Sequence, residues 1–218
     1  MTPRAVIFDC DGVVVDSEHP TLLMVQADLA RYGLPVTLEE LNARYVGGTV
    51  ETVAERARAN GAALPADWVQ DFYRRMYAML RENTPLIEGI VGVLDALDAA
   101  GVPFAMGSNG TIEKMHITLG QHGLIGRFRG HLYSGQEIGR PKPAPDLFLM
   151  AAERLGVAAG DCVVIEDSVA GATAARAAGM RCFGYAPHGD VTGLAGVGAQ
   201  VFSSMRDLPA LLGLNGEI

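Results

Sequence analysis

Six short apolar runs, separated by stretches of helical spacing, constrain this fold more than any other feature of the sequence. They are 5–8 (Ala-Val-Ile-Phe), 102–106, 131–133, 162–165, 181–185 and 199–202. Helical patterns at 89–100, 111–121, 145–155 and 169–178 separate the later runs, and a short helix near 206–212 closes the series. Strands this short and this apolar are buried on both faces, and a helix between consecutive strands supplies the crossover that parallel neighbours require. The expected fold class is therefore α/β, a parallel sheet covered by helices on both faces.

The gap between the first run and the second breaks the alternation. Residues 18–82 contain no strand pattern and read as four helices. Leu22, Leu23, Val25 and Leu29 begin the first, which Gly33 and Pro35 end. Thr37 and Glu40 form a capping box for the second, Gly47-Gly48 breaks it, and Thr49 caps the third. The fourth spans 67–81, with Trp68, Phe72, Met76 and Met79 at helical spacing. This block is expected to be an inserted helical bundle.

Composition sets further bounds. At 218 residues the chain suits one core with a sizeable insertion better than two full domains. Its 49% apolar and 19% charged residues fit a folded protein rather than a disordered one. A net charge of −8 offers no basic footprint for nucleic acid. An acidic protein that handles an anion needs a local cation, which points to a bound metal. No run approaches the ~18 apolar residues of a membrane span, and Asp9 and Asp11 interrupt the only apolar stretch near Met1. Neither membrane nor signal peptide is expected. Cys10, Cys162 and Cys182 fall in the predicted strand regions without CxxC spacing, so buried reduced thiols and a cytoplasmic location are expected. In that setting the sequon Asn109-Gly-Thr111 carries no weight.

Ligands of a parallel sheet bind beyond the carboxyl ends of its strands. After the first run come Asp9 and Asp11, which an extended strand points to one face while Cys10 points away. Gly12 then lets the backbone turn. The second run is followed by Gly107-Ser108-Asn109-Gly110, the third by Gly139-Arg-Pro-Lys142-Pro-Ala-Pro145, the fourth by Glu166-Asp167-Ser168. Each has an ordinary structural reading: a solvated turn, a helix cap, a stiff loop, another cap. All four together at parallel strand ends argue for a site. Lysine usage adds to this, because fifteen arginines accompany only Lys114 and Lys142. Lys142 sits between two prolines and presents a compact charge suited to a crowded anionic pocket. Lys114, in a predicted helix, reads as solvated surface.

In this order and spacing, the motifs FDCDGVVVDSE, SNG, KPAPDLF and VIEDSVAGATAARAAGM resemble the haloacid dehalogenase superfamily. The resemblance covers essentially the whole chain and is to the branch with an inserted helical cap, which includes β-phosphoglucomutase and small sugar-phosphate phosphatases. It implies a Rossmann-like core of residues 1–16 and 83–218 and a cap at 17–82. It also implies Asp9 as nucleophile, Asp11 as general acid and base, and Ser108, Asn109 and Lys142 on the phosphoryl group. Mg²⁺ would be held by Asp9, Asp11, Glu166 and Asp167. The implied partner is a small-molecule phosphate ester, and the protein a monomer or weak dimer.

Within that family, Asp11 argues against dehalogenation, whose leaving halide needs no proton. The absence of lysine from 18–82 excludes the Schiff-base phosphonate cleavers. The histidine and arginine of the mutases align with Thr21 and Val50, and His19, two residues early, is rotated by about 200° on a helix. Phosphate ester hydrolysis is the expected reaction. The segment 108–145 is similar to bacterial 6-phosphogluconate phosphatases, which suggests a sugar phosphate or a phosphorylated sugar acid. Contacts to it are expected from the loop 45–49 and from Arg44, Arg74 or Arg75, with hinges at 13–17 and 81–85.

Overall fold

The computed structural model describes residues 2–45, 49–187, 189 and 191–214. Its centre is β1 (Ala5–Phe8), four residues with no exposed surface. Around it lie β2 (Phe104–Ser108), β3 (Leu132–Ser134), β4 (Cys162–Glu166), β5 (Arg181–Tyr185) and β6 (Gln200–Phe202). The order is β3-β2-β1-β4-β5-β6, and every adjacent pair is parallel. All six expected strands form. The second starts two residues late, at Phe104 rather than 102, and continues to Ser108. Phe8 pairs with both Met106 and Ile165, so β2 runs two residues and β4 one residue beyond the end of β1. The order reverses at β1, the switch point where the loops diverge and leave a crevice.

Between β1 and β2 come α1 (Glu18–Arg31), α2 (Leu38–Tyr45), α3 (Val50–Ala59) and α4 (Trp68–Glu82). The capping box is present: the Glu40 amide donates to Thr37 Oγ1 at 3.1 Å and the Thr37 amide to Glu40 Oε2 at 3.0 Å. Thr49 caps α3 as expected. These helices bury a cluster of their own around Leu29, Leu41, Trp68, Phe72 and Leu80. Trp68 Nε1 donates to buried Asp28 at 2.8 Å, and Arg75 neutralises the same carboxylate.

The later helices are α5 (Ile90–Ala99), α6 (Ile112–Gly120), α7 (Asp146–Leu155), α8 (Val169–Ala177), α9 (Thr192–Gly196) and α10 (Leu208–Leu211). Alternate residues of β1 feed two separate cores. Val6 and Phe8 join Leu94, Phe104 and Leu119, while Ala5 and Ile7 join Phe148, Ala172 and Ala175. Both faces of the sheet are thus covered. α9 escapes sequence reading because Gly193 and Gly196 take two of its five positions. The three cysteines are free and buried. No helix among the described residues is long and apolar enough to cross a membrane.

The connection at 13–17, expected as a hinge, is tightly packed in this structure. Val13, Val14 and Val15 have no exposed surface and join the sheet's core. The Val15 amide donates to the Cys10 carbonyl at 3.0 Å, the Asp16 amide to Pro85 at 2.8 Å, and the Ile87 amide to Val14 at 3.0 Å. The two connections are laced to each other, and proline at position 15 would remove one of those bonds and damage the fold.

Candidate active site

Asp9 extends the ladder of β1 by one bond, its amide donating to the Ile165 carbonyl at 2.9 Å. Its side chain therefore emerges at the crevice. Lys142 Nζ lies 2.5 Å from Asp9 Oδ1 and 2.6 Å from Glu166 Oε1, 5.0 Å above the Phe148 ring. Burial pushes the Asp9 carboxyl up, as do the charges of Glu166 and Asp11; Lys142 opposes them, and the balance lies at about 7. Burial would lower the Lys142 ammonium, but the charges of Asp9 and Glu166 outweigh it and hold the proton firmly.

Glu166, expected as a metal ligand, has both carboxylate oxygens engaged by protein donors. Its Oε1 takes Lys142, and its Oε2 accepts from the amides of Asp167 and Ser168, both at 3.0 Å, and from the Ser168 hydroxyl at 2.9 Å. No surface of it is exposed. The space comes from Gly171, where a Cβ would stand 1.7 Å from Oε1. Glu166 anchors Lys142.

Asn109 is likewise committed. Its Oδ1 accepts from the Lys142 amide at 2.8 Å, and its Nδ2 donates to the Lys142 carbonyl at 3.2 Å. The side chain expected on the phosphoryl group pins the lysine loop. Gly135 makes room for it, since a Cβ there would come within 2.7 Å of Asn109 Oδ1. Ser108, buried at the end of β2, faces the cavity, and its Oγ accepts from the Gly110 amide at 2.9 Å. Its hydroxyl hydrogen is left for an anion.

Lys114 is the clearest correction. It is not solvated surface: its Nζ lies 2.7 Å from Asp11 Oδ1, and its side chain is 12% exposed. Thr111 caps α6 by accepting from the Lys114 amide at 3.1 Å. That places Lys114 in the first turn, where side chains lean back toward the helix start and hence toward the strand ends. The Ser17 hydroxyl also donates to Asp11 Oδ1. Burial would raise the Asp11 carboxyl, but the Lys114 charge, with hydrogen bonds from Lys114 and Ser17, holds it below the usual range.

Asp167 completes the group. Both lysines are committed elsewhere, and among the described residues no cation pairs with it. Burial, then the charges of Glu166, Glu18 and Asp9, push its carboxyl well up. Its Oδ2 sits against the turn after Asp11; Gly12 has φ +77°, and a Cβ there would lie 1.9 Å from that oxygen. The Asp9 carboxylate, Asp167 and the nearby Asp11 carbonyl are hard oxygen donors in a pocket short of positive charge. They fit a divalent cation of the Mg²⁺ type, which keeps several waters. Side chains alone do not form a three-ligand group among the described residues, so main-chain oxygen and water would complete the shell.

A cavity of about 190 Å³ separates this group from α1–α4. Asp9, Asp11, Ser108, Lys142 and Asp167 line one side, and Leu22, Val25, Val53, Phe72 and Met76 the other. Tyr45 and Thr49 reach it, while positions 46–48 of that loop lie outside the described residues. The expected arginines do not reach it: Arg74 and Arg75 pair with Asp71, and Arg44 is exposed. An unanticipated bridge ties helices to core, in which Gln136 Nε2 donates to Glu51 Oε1 and to Tyr73 Oη, both at 3.0 Å.

Comparison with known proteins matches this geometry to a family. A model described as haloacid dehalogenase-like hydrolase matches residues 3–179. The 6-phosphogluconate phosphatase of Escherichia coli (strain K12) is 33% identical over 83% of this chain and 81% of its own. A phosphoglycolate phosphatase of Xylella fastidiosa (strain 9a5c) is 34% identical over 86% and 84%. Among solved structures, a HAD family hydrolase from Deinococcus radiodurans R1 with bound phosphate and sodium superposes with a TM-score of 0.79. It is 37% identical, with 98% of this chain and 97% of that one covered.

Proposed function

The chain belongs to the haloacid dehalogenase-like hydrolases and is a phosphoric monoester hydrolase, and from that premise we propose how it works. Its substrate is a small phosphate monoester, a sugar phosphate by class, cleaved through an aspartyl phosphate on Asp9. The observation that carries this is the pinning of Asp9 Oδ1 by Lys142. That bond leaves Oδ2, without a side-chain cation, as the attacking oxygen beside Ser108 and Asp11.

In the first step Asp9 Oδ2 forms a bond to phosphorus as the ester oxygen leaves, and that oxygen takes a proton from Asp11. In the second, Asp11 removes a proton from water, the water oxygen attacks phosphorus, and the Asp9 carboxylate is released with inorganic phosphate. The ionised Asp11 favoured by Lys114 and Ser17 is the form the second step needs, and that step regenerates the acid form for the next substrate. Splitting one slow displacement in two is the gain of a carboxylate nucleophile. Lys142 and the Ser108 hydroxyl stabilise charge on the transferring group, the main task in phosphoryl transfer. Mg²⁺, held by Asp9, Asp167 and the Asp11 carbonyl, would screen the repulsion between Asp9 and the incoming dianion.

Residues 17–82 are read as the cap over this core. Thr21 and Val50 both line the cavity where a mutase carries histidine and arginine, which supports hydrolysis over phosphoryl return. Phosphate release from p-nitrophenyl phosphate with Mg²⁺ tests the reading. Asp9→Asn should reduce kcat by about a thousand-fold or more; equal rates would overturn the nucleophile assignment.

A further inference from the structure

The wall of the cavity facing the phosphoryl site carries information about the leaving group. Of the described residues of 17–82 that line it, Glu18 alone is charged, and it is an acid. The rest are aliphatic, aromatic or hydroxyl-bearing, and positions 46–48, outside the described residues, are Val-Gly-Gly. None of the described arginines of the block lines the cavity. Arg56 donates to the Arg44 carbonyl, Arg58 to Leu64 and Pro65, and Arg81 to Glu113; Arg74 and Arg75 hold Asp71. Arg31 lies over the Tyr32 ring, and Arg44 is exposed. On the core side, Lys142 is shared by Asp9 and Glu166, and Lys114 is paired with Asp11.

An ester whose alcohol bears a carboxylate or a second phosphate would bring that charge against an apolar wall and Glu18, with no free cation among the described lining residues. Burying an unpaired anion is costly, and like charges in one cavity add to the cost. A neutral alcohol meets Leu22, Val50 and Val53 with its apolar face, and Thr21 and Thr49 with its hydroxyls.

We propose that the leaving group is a small neutral alcohol with an apolar face, and that the cap selects against esters with a second anionic group. The inference rests on the phosphatase reading. Of the two substrate classes suggested by the sequence, it favours the sugar phosphate over the phosphorylated sugar acid, and so a substrate unlike those named for the two bacterial relatives. In a reaction sequence, the enzyme would follow a step that phosphorylates, or releases in phosphorylated form, a neutral alcohol.

Matched pairs test it. Glucitol 6-phosphate against 6-phosphogluconate, and 2-hydroxyethyl phosphate against phosphoglycolate, each differ by a CH₂OH in place of a carboxylate. The neutral member of each pair should have the higher kcat/KM by about tenfold or more. Val50→Arg, which sets a cation on the cap wall, and Glu18→Gln, which removes the acid, should each shift the ratio toward the acid member. Equal or better turnover of the acids by the wild type would overturn the inference alone. Release from no ester, p-nitrophenyl phosphate included, would refute the phosphatase reading and the inference with it. Ratios unmoved by both variants would show that the cap wall does not select, and would overturn the inference as stated.

Discussion

Replacing Glu166 by glutamine separates the two jobs that this residue could hold, metal ligand or anchor of Lys142. In the wild type Oε1 faces an ammonium and Oε2 faces three donors. A glutamine must turn its NH₂ toward one of these. Three contacts outweigh one, so the amide oxygen stays with the Asp167 and Ser168 donors and the NH₂ is set against Lys142. Removing one partner of a buried ion pair costs about 3–5 kcal/mol. The retained donors and the surviving Asp9 pair place this variant near the lower figure, about 3 kcal/mol. A chain of this length loses about 2–4 °C of Tm per kcal/mol, so a fall of roughly 6–12 °C is expected.

Lys142 keeps its contact with Asp9 but loses its second hold, so kcat should drop by about 10- to 100-fold, short of full loss of a charge-stabilising donor. The assay is kcat on p-nitrophenyl phosphate as a function of Mg²⁺, beside thermal unfolding, with Asp167→Asn in parallel. Asp167→Asn should raise the half-saturating Mg²⁺ concentration by about tenfold or more, and Glu166→Gln should raise it much less. If Glu166→Gln raises it as much as Asp167→Asn while Tm is unchanged, Glu166 is a ligand and the anchoring argument fails.

Three further outcomes follow from the same contacts. Lys114→Met strips Asp11 of its ion pair and should reduce kcat by about tenfold or more. Lys114→Arg should restore little of it, because a guanidinium is larger and planar; full activity in the methionine variant would return Lys114 to the surface role read from sequence. Gly171→Ala gains about 1 kcal/mol of helix propensity but drives a Cβ into Glu166, a net loss of about 2 kcal/mol that differential scanning calorimetry would detect. Gly92→Ala in α5, with no neighbour within 4 Å, should be stabilising in the same assay. Gln136→Ala removes the bridge to Glu51 and Tyr73, and, at about 0.5–1.5 kcal/mol for a net hydrogen bond, should raise KM by about 2- to 10-fold. An unchanged KM would show that the bridge does not hold the closed cavity.

The residues that carry chemistry were legible because each follows a strand, and strand ends can be read from apolar runs. Asp9, Asp11, Ser108, Lys142 and Asp167 all reach one cavity, as their positions after four runs implied. Their division of labour was not legible. Glu166 and Asp167 are adjacent carboxylates, and sequence gave no reason to separate them. β4 ends on Glu166, so its side chain passes under the start of α8 to Lys142, while Asp167 projects toward Gly12. One residue of strand register sends the two carboxylates to different partners.

Lys114 and the cap wall mark a different boundary of what sequence reveals. The scarcity of lysine that singled out Lys142 applied equally to Lys114, and the capping threonine three residues before it marked a helix start at a strand end. Most lysines on helices are solvated, which hides both signals, although a first-turn side chain beyond a sheet points toward the site rather than away from it. The cap poses the reverse difficulty. Phe72 and Met76 belong to the apolar stripe of α4 and also line the cavity. Hydrophobic spacing gives the same signal for a residue packed on protein and for one facing a ligand, because both leave water. Only the three-dimensional placement of the arginines, each held by an acid, a carbonyl or a ring, or left at the surface, turns that stripe into an argument about substrate charge. The specificity of this enzyme is therefore written less in the residues that touch the cavity than in the partners that keep its cations out.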